Sequence, residues 1–447
     1  MQKNEEYIIE ITGYTSEGSG IGRINSIAVF VPSAAAGDVL KVRILKVKKN
    51  YAFGKIIEII TPSPARTQID CDSFNQCGGC VYRHIKYEDE CKIKSLKVYD
   101  AVKRIGGIDL APAKMIPSEK QNHYRNKAQY PVSPDGFTGF YAFHSHRIIK
   151  CSSCPLQPEI FDKITSACSN WAVKNKISIY NEESHTGLLR HIYIRLAEQT
   201  GEIMVCLVIN GDTVPFKEEL TDTLKDICKN SLKSLQLNVN KEKTNVILGK
   251  ECITVFGSSY ITDILCGVKV RLSPLSFYQV NRTTAELLYK KAAEYAEPEG
   301  KTVLDLYCGA GTIGLSMSHK AKKVIGVEIV PEAIEDAKFN AKLNGTENAE
   351  FICSDASDAA EQLALRGVSP DVIIVDPPRK GCTPELIGTI ADKFKPERVV
   401  YVSCDPATFA RDAKLFEEKG YLLREYTPVD MFPRTSHIET AAWFSLK

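Results

Sequence analysis

The chain has 447 residues, 44% of them hydrophobic and 25% charged, an ordinary globular balance that excludes a disordered, collagenous or coiled-coil protein. No apolar run approaches the roughly 18 residues of a spanning helix, and the start, MQKNEEYIIEITGY, has no apolar signal segment, so the expected compartment is the cytoplasm. Fifty-seven Lys and Arg against 55 Asp and Glu leave +2, so any nucleic-acid surface has to come from local clusters.

In chain order, residues 1–60 read as short strands. YIIEITGY, IAVFVPSA, DVLKVRILKV and YAFGKIIEII are separated by turn signals such as SEGSGIG, which predicts a small OB-like β-barrel of the kind that often binds oligonucleotides. Six basic residues lie between Lys41 and Lys55 with no acid among them, and Tyr51 and Phe53 lie inside the run. That pattern suits a phosphate backbone with stacked bases, and equally a solvated edge strand. TPSPAR then reads as a linker. Residues 61–270 form a mixed α+β central segment, with a helix over YEDECKIKSLKVYDAVKRIG and later strands such as EIMVCLVIN. From 271 to 447 the apolar strands VLDLYC, KVIGVEI, DVIIVDPP and RVVYVSC alternate with helical patterns, which predicts an α/β domain with a parallel sheet covered on both faces.

Asp305-Leu-Tyr-Cys-Gly309-Ala-Gly311-Thr312-Ile-Gly314 joins the first of these strands to a helix. Glycines there let the backbone approach a ligand at the helix N-terminus. Glu328 ends the second strand, where it can accept from ribose hydroxyls; Asp355 follows the third, and Asp376 closes the fourth. The spacing differs from a dinucleotide fingerprint. The acid inside the first strand resembles motif I of class I (Rossmann-like) methyltransferases, which bind S-adenosylmethionine.

Strand five ends in Tyr-Val-Ser-Cys404-Asp-Pro, beside that crevice, and Glu439 precedes the last strand. A thiol, a carboxylate and a methyl donor match one reaction. Uracil C5 is a poor nucleophile until a thiolate adds at C6, and a base must then remove the C5 proton. Four segments, SFYQVN (276–281), DPPRKG (376–381), VVYVSCDPAT (399–408) and DMFPRTSHIE (430–439), resemble the RNA uracil-5-methyltransferase family. The resemblance implies Cys404 as nucleophile and Glu439 as base. It also implies Gln279, Tyr307, Glu328 and Asp376 at the donor site, and the Phe277 ring near the target base. Asp405 departs from it, since the family more often has Asn there. An amino-methylase would want an aromatic ring where Arg379 stands, and cytosine-5-methylases place their cysteine directly after the strand-four proline. Cys382 is the nearest to that and stays a minor candidate. Cys206 and Cys353 read as buried small hydrophobes.

Cys71-x5-Cys77-Gly-Gly-Cys80 offers three thiols on a loose loop, with a fourth downstream at Cys151 or Cys154. The residues leave structural zinc and an iron–sulfur centre open. Ribosomal-RNA members of the same family resemble this chain in carrying such cysteines around a [4Fe-4S] cluster, with Cys154 the better match for the fourth ligand. They also begin with a small barrel, the TRAM domain. Transfer-RNA members typically lack both. The resemblance therefore implies methylation of uracil C5 in 23S ribosomal RNA. Methylation of transfer RNA and a non-catalytic RNA-binding assembly factor are the alternatives, and nothing in the sequence calls for a membrane or an obligate protein partner. Tyr124–Lys127, Phe140, Tyr141, His144, His146 and Arg147 are candidate RNA contacts.

Overall fold

The structure, a computed structural model, describes residues 1–143 and 145–447; the candidate contact His144 lies outside the described residues. Among the described residues no helix is long and apolar enough to cross a membrane.

The N-terminal unit is one sheet of β1 (Glu6–Glu10), β2 (Gly13–Tyr14), β3 (Gly20–Ile24), β4 (Ile27–Val31), β5 (Val39–Val47) and β6 (Tyr51–Thr61), in the order β1-β5-β6-β4-β3-β2. The two ends of that order, β1 and β2, are successive in the chain, so the sheet curls until its edges meet. Thr12 N donates to Ile21 O (2.8 Å) at the seam. SEGSGIG looks like a turn, yet Gly20 and Gly22 lie in β3. The reason is space: a Cβ at Gly20 would come within 2.8 Å of the Ala34 Cβ, and one at Gly22 within 2.8 Å of Ile9 Cδ1. TPSPAR is pinned rather than loose. Arg66 grips the buried Asp38 carboxylate with two hydrogen bonds of 2.7 Å.

Helix α1 (Tyr87–Ala101) continues as a wider turn to Gly106, matching the predicted helix in extent. Its Val98, with Val102 beyond it, packs with Phe409 and Phe416 of the helix Pro406–Glu418 and with Tyr426 of the C-terminal sheet, so this stretch joins the C-terminal core. The central sheet holds β7 (Lys127–Pro131), β10 (Leu189–Leu196), β11 (Ile203–Ile209), β12 (Leu232–Val239) and β13 (Glu251–Gly257) in the order β13-β12-β11-β10-β7, with a small ribbon β8 (Gly139–Tyr141)–β9 (Ile148–Lys150) beside it. Helices α2 (Glu159–Lys174) and α3 (Lys217–Cys228) cover one face. The hairpin β14 (Ile261–Leu265)–β15 (Val268–Leu272) joins the other face to the C-terminal core.

The C-terminal unit is introduced by α4 (Arg282–Ala296) and runs β16 (Thr302–Leu306), α5 (Thr312–Met317), β17 (Lys323–Glu328), α6 (Pro331–Leu343), β18 (Ala349–Cys353), α7 (Ala356–Leu365), β19 (Val372–Val375), α8 (Pro384–Gly388), β20 (Arg398–Ser403), α9 (Pro406–Glu418), β21 (Tyr421–Val429) and β22 (Glu439–Leu446). The sheet order is β18-β17-β16-β19-β20-β22-β21. The first five strands are parallel, and β22 inserts antiparallel between β20 and β21. Alternate residues feed opposite cores: Ile373, Val375, Val399 and Tyr401 on one face, Val372, Ile374, Val400 and Val402 on the other. That explains apolar runs without a polar side.

Candidate active site

Parallel strands present their C-terminal ends at one edge, and the reversed β22 presents its N-terminal end there. Ser403 pairs with Thr440, so Cys404 and Glu439 emerge side by side. Across the edge the order is Asp355 after β18, Glu328 ending β17, Tyr307 after β16, Asp376 after β19, Cys404 after β20, then Glu439. At about 4.8 Å per strand the row from Glu328 to Glu439 spans about 19 Å, enough for a nucleoside-sized ligand at one end and a base at the other.

The Glu328 end of the row is built from turn geometry. Gly309 and Gly311 have φ of +54° and +78°, and Tyr307 shares the left-handed region at +66°. A Cβ on Gly309 would meet nothing within 4 Å, so the loop opens onto free space. A Cβ on Gly314 would strike Val324 Cγ1 at 2.8 Å, because α5 lies close on the sheet. Asp305 Oδ2 accepts from Gly314 N (2.9 Å), and burial raises that carboxyl to about 7. Glu328 Oε2 accepts from Gly309 N (3.1 Å) and Oε1 from Ile329 N and Val330 N, leaving the exposed Ile329 and Val330 side chains beside it. Asp355 is exposed and caps α7, accepting from Ser357 N (2.8 Å). Gln279 is nearly buried and reaches the Tyr289 hydroxyl, which faces both Thr312 and Asp376.

At the other end of the row stand Cys404 and Glu439. Glu439 is only 4% exposed. Burial, reinforced by Asp376 and opposed by Arg379, pushes its carboxyl well above the usual range. Burial lifts Asp376 to about 7. The Cys404 thiol rises to about 11, from burial first and then from Glu439 and Asp376, again opposed by Arg379. Arg379, which the spacing singled out only as a missing ring, is thus the cation that acts on both Glu439 and Cys404. It is placed from below: α9 holds its loop through Thr408 Oγ1 to Arg379 O (2.9 Å) and the Arg411 guanidinium to Lys380 O (2.8 Å). Asp405 departs from the family pattern without losing its task, since its Oδ1 caps α9 from Thr408 N (2.9 Å), which Asn and Asp do equally well. Phe277 is 70% exposed on a loop fixed by Arg195, which donates to Ser273 O and Ser276 O, and by Ser276 Oγ to Asp336 (2.7 Å).

A family model for tRNA (Uracil-5-)-methyltransferase matches residues 101–447, and one for the TRAM domain matches residues 2–57. The chain belongs to the tRNA (uracil-5-)-methyltransferase family. It is an RNA methyltransferase with a TRAM domain at its head. It is 46% identical over 444 residues to a Clostridium tetani protein described as an uncharacterized RNA methyltransferase, with 98% of this chain and 96% of that one covered. A Halalkalibacterium halodurans protein of the same description is 43% identical, covering 100% and 98%. The solved Pyrococcus abyssi tRNA (uracil-54, C5)-methyltransferase in complex with S-adenosyl-L-homocysteine superposes with a TM-score of 0.80 at 29% identity, covering 98% of this chain and 99% of that one. Because a transfer-RNA enzyme matches over its full length, an N-terminal barrel does not by itself separate ribosomal from transfer-RNA members.

Several other expectations change. Cys206 is buried, but Cys353 is exposed because β18 is the sheet edge. Cys382 is buried in the core, its backbone N donating to Asp412 Oδ2 (2.8 Å). Tyr124 and Asn126 are internal: the Tyr124 hydroxyl donates to Pro433 O (2.9 Å) and Asn126 Nδ2 to Gln279 O (3.0 Å). Tyr141 hydrogen-bonds His191, and His146 and Arg147 are exposed. Cys71, Cys77, Cys80, Cys151 and Cys154 line one cavity of about 220 Å³ together with Arg83, Arg125 and Lys127, and among the described residues no acid lines it. Burial pushes Cys80 up to about 12. Cys151 and Cys154 share a thiol–thiol hydrogen bond that lowers the first and raises the second. Among the described residues no group of three or more His, Cys, Asp or Glu is arranged as the ligands of a metal ion, so the expected ligand set shares a cavity without closing on a centre.

Proposed function

We propose that the protein methylates uracil C5 in 23S ribosomal RNA with S-adenosylmethionine, in the cytoplasm, through a bond between Cys404 and the ring. The observation that carries this reading is the adjacency of Cys404 and Glu439 at the paired ends of β20 and β22, with Asp376 between them and the glycine loop. Cys404 Sγ, as thiolate, adds to C6, and the C5–C6 π pair moves out toward the C4 oxygen. C5 then takes the methyl carbon as the donor's sulfur–methyl bond breaks with its pair retained on sulfur. Glu439 accepts the C5 proton, and the C–H pair re-forms the double bond and expels the Cys404 thiolate. Arg379 supports the anionic sulfur. Glu328 suits ribose hydroxyls, Asp376, Tyr307 and Gln279 line the donor's reacting side, Asp355 borders its far end, and Phe277 is free to stack on the extruded base.

The residues present fit a [4Fe-4S] cluster on two counts. Cys71, Cys77, Cys80 and Cys154 border a cavity rather than a point, and the three cations lining it would offset thiolate charge. Such a cluster would supply a cross-link between loops far apart in sequence.

Methylation of transfer RNA is the second reading, favoured by the full-length match to a transfer-RNA enzyme. Labelled donor offered with 23S ribosomal RNA and with transfer RNA separates the two: label in ribosomal RNA alone supports the proposal, and label in transfer RNA alone overturns it. A protein that binds RNA but labels neither would be an assembly factor.

A further inference from the structure

Glu439 opens β22, and the irregular stretch Asp430–Ile438 decides where the chain enters that strand. Its anchors come from far away in sequence. Helix α1 offers Glu90, Lys94 and Lys97 on one face, at i, i+4 and i+7. Lys94 Nζ donates to Glu90 Oε1 (2.7 Å), Asp430 Oδ1 (2.7 Å) and Phe432 O (3.1 Å), and all three charged side chains are fully buried. Arg434 N donates to Glu90 Oε1 (2.6 Å), and its guanidinium reaches Glu90 Oε2 (3.3 Å) and Ile85 O (3.1 Å). Arg434 has φ of +71°, a conformation an arginine holds only when its surroundings impose it. Its carbonyl accepts from Val81 N (2.8 Å) and Tyr82 N (3.1 Å), the residues directly after Cys80. Lys97 Nζ donates to Ser436 O (2.9 Å).

Buried ions gain little net stability over apolar packing of the same volume, because desolvation offsets their attraction. What a network of this many directed bonds supplies is one arrangement out of many. We infer that Glu90, Lys94 and Arg434 are positioning residues for the reaction: they lock the Asp430–Ile438 segment so that Glu439 stands within reach of the C5 proton. The inference rests on Glu439 being the proton acceptor. A displaced acceptor has a specific consequence. The thiol can still add and C5 can still be methylated, but the proton stays, Cys404 is not expelled, and a methylated covalent RNA complex accumulates.

The test uses the full chain with unmodified substrate RNA, labelled donor and denaturing gels. Arg434→Gly keeps the left-handed backbone and removes the guanidinium, and Glu90→Gln keeps an acceptor while removing its charge. Each should lower turnover about 10- to 100-fold, as expected for a misplacement near 1 Å, while a labelled protein–RNA band accumulates at close to the wild-type rate of adduct formation. Arg434→Lys should recover most of the turnover. Glu439→Gln should trap the same band. The inference is overturned if the first two variants turn over normally, or if they lose adduct formation in parallel with turnover. Trapping by Glu439→Gln alone overturns the inference and leaves the acceptor assignment standing; normal turnover of Glu439→Gln overturns both.

Discussion

The Cys404 thiol offers a quantitative check on the electrostatics of the reacting end. An ordinary thiol ionises near 8.5 and is roughly a quarter thiolate at pH 8. Burial beside two carboxylates lifts Cys404 to about 11, which leaves about one thiolate in a thousand at that pH. The more basic thiolate is the better nucleophile, and a Brønsted slope of about 0.4–0.5 returns about a factor of ten. The net expectation is iodoacetamide alkylation of Cys404 roughly 20-fold slower than that of a reference peptide thiol at pH 8. The rate should climb steadily with pH and show no plateau below about pH 10. Arg379 is the one charge named above that lowers this thiol, so Arg379→Met should slow the reaction further. Glu439→Gln should speed it, and only on the alkaline side where Glu439 is ionised. The assay is mass-spectrometric quantification of the Cys404 peptide over a pH series. A plateau near pH 8–9, or faster alkylation in Arg379→Met, would refute the account of this site.

Asp376 rises to about 7, so binding of a cationic sulfonium donor should tighten as pH rises from about 6 to 8, as the carboxyl loses its proton; calorimetry should show Asp376→Asn flattening that dependence. Asp305, also near 7 and buried, holds its proton more tightly folded than unfolded. Between the unfolded value near 4 and about 7 the native state therefore binds more protons, and stability should fall as pH rises through that window. Asp305→Asn should flatten this slope in urea melts. Gly314→Ala should cost about 1–3 kcal/mol through the Val324 contact, read from the same melts. Anaerobically purified protein should be brown and carry iron with acid-labile sulfide, lost in Cys80→Ala; a colourless protein with one zinc would remove the cluster proposal.

The parallel strands were legible because burial on both faces leaves continuous apolar runs, and the glycine loop because its turn needs positive φ at Gly309 and Gly311. Cys404 and Glu439 were legible as motif residues, but not as neighbours. Their meeting depends on β22 inserting antiparallel between β20 and β21, which no local pattern encodes. Arg379 was passed over because its importance lies in the groups around it. The same holds for Lys94, whose partner Asp430 lies 336 positions away in the chain, beyond anything a helical pattern can show. Tyr124 looked like a surface ring because one sequence cannot show that its hydroxyl has a buried carbonyl waiting. Cys353 looked like core because an edge strand reads like a central one.

The most direct measurement is a trap. In RNA carrying 5-fluorouracil at the target, C5 holds a fluorine that no base can remove as a proton, so the ring should stop with one new methyl group and one bond to protein. Digestion and mass spectrometry should find that methylated fluorouracil on the peptide containing Cys404, and Cys404→Ala should give neither adduct nor methylated uridine. An adduct on another residue, or methylated product from Cys404→Ala, would contradict the account.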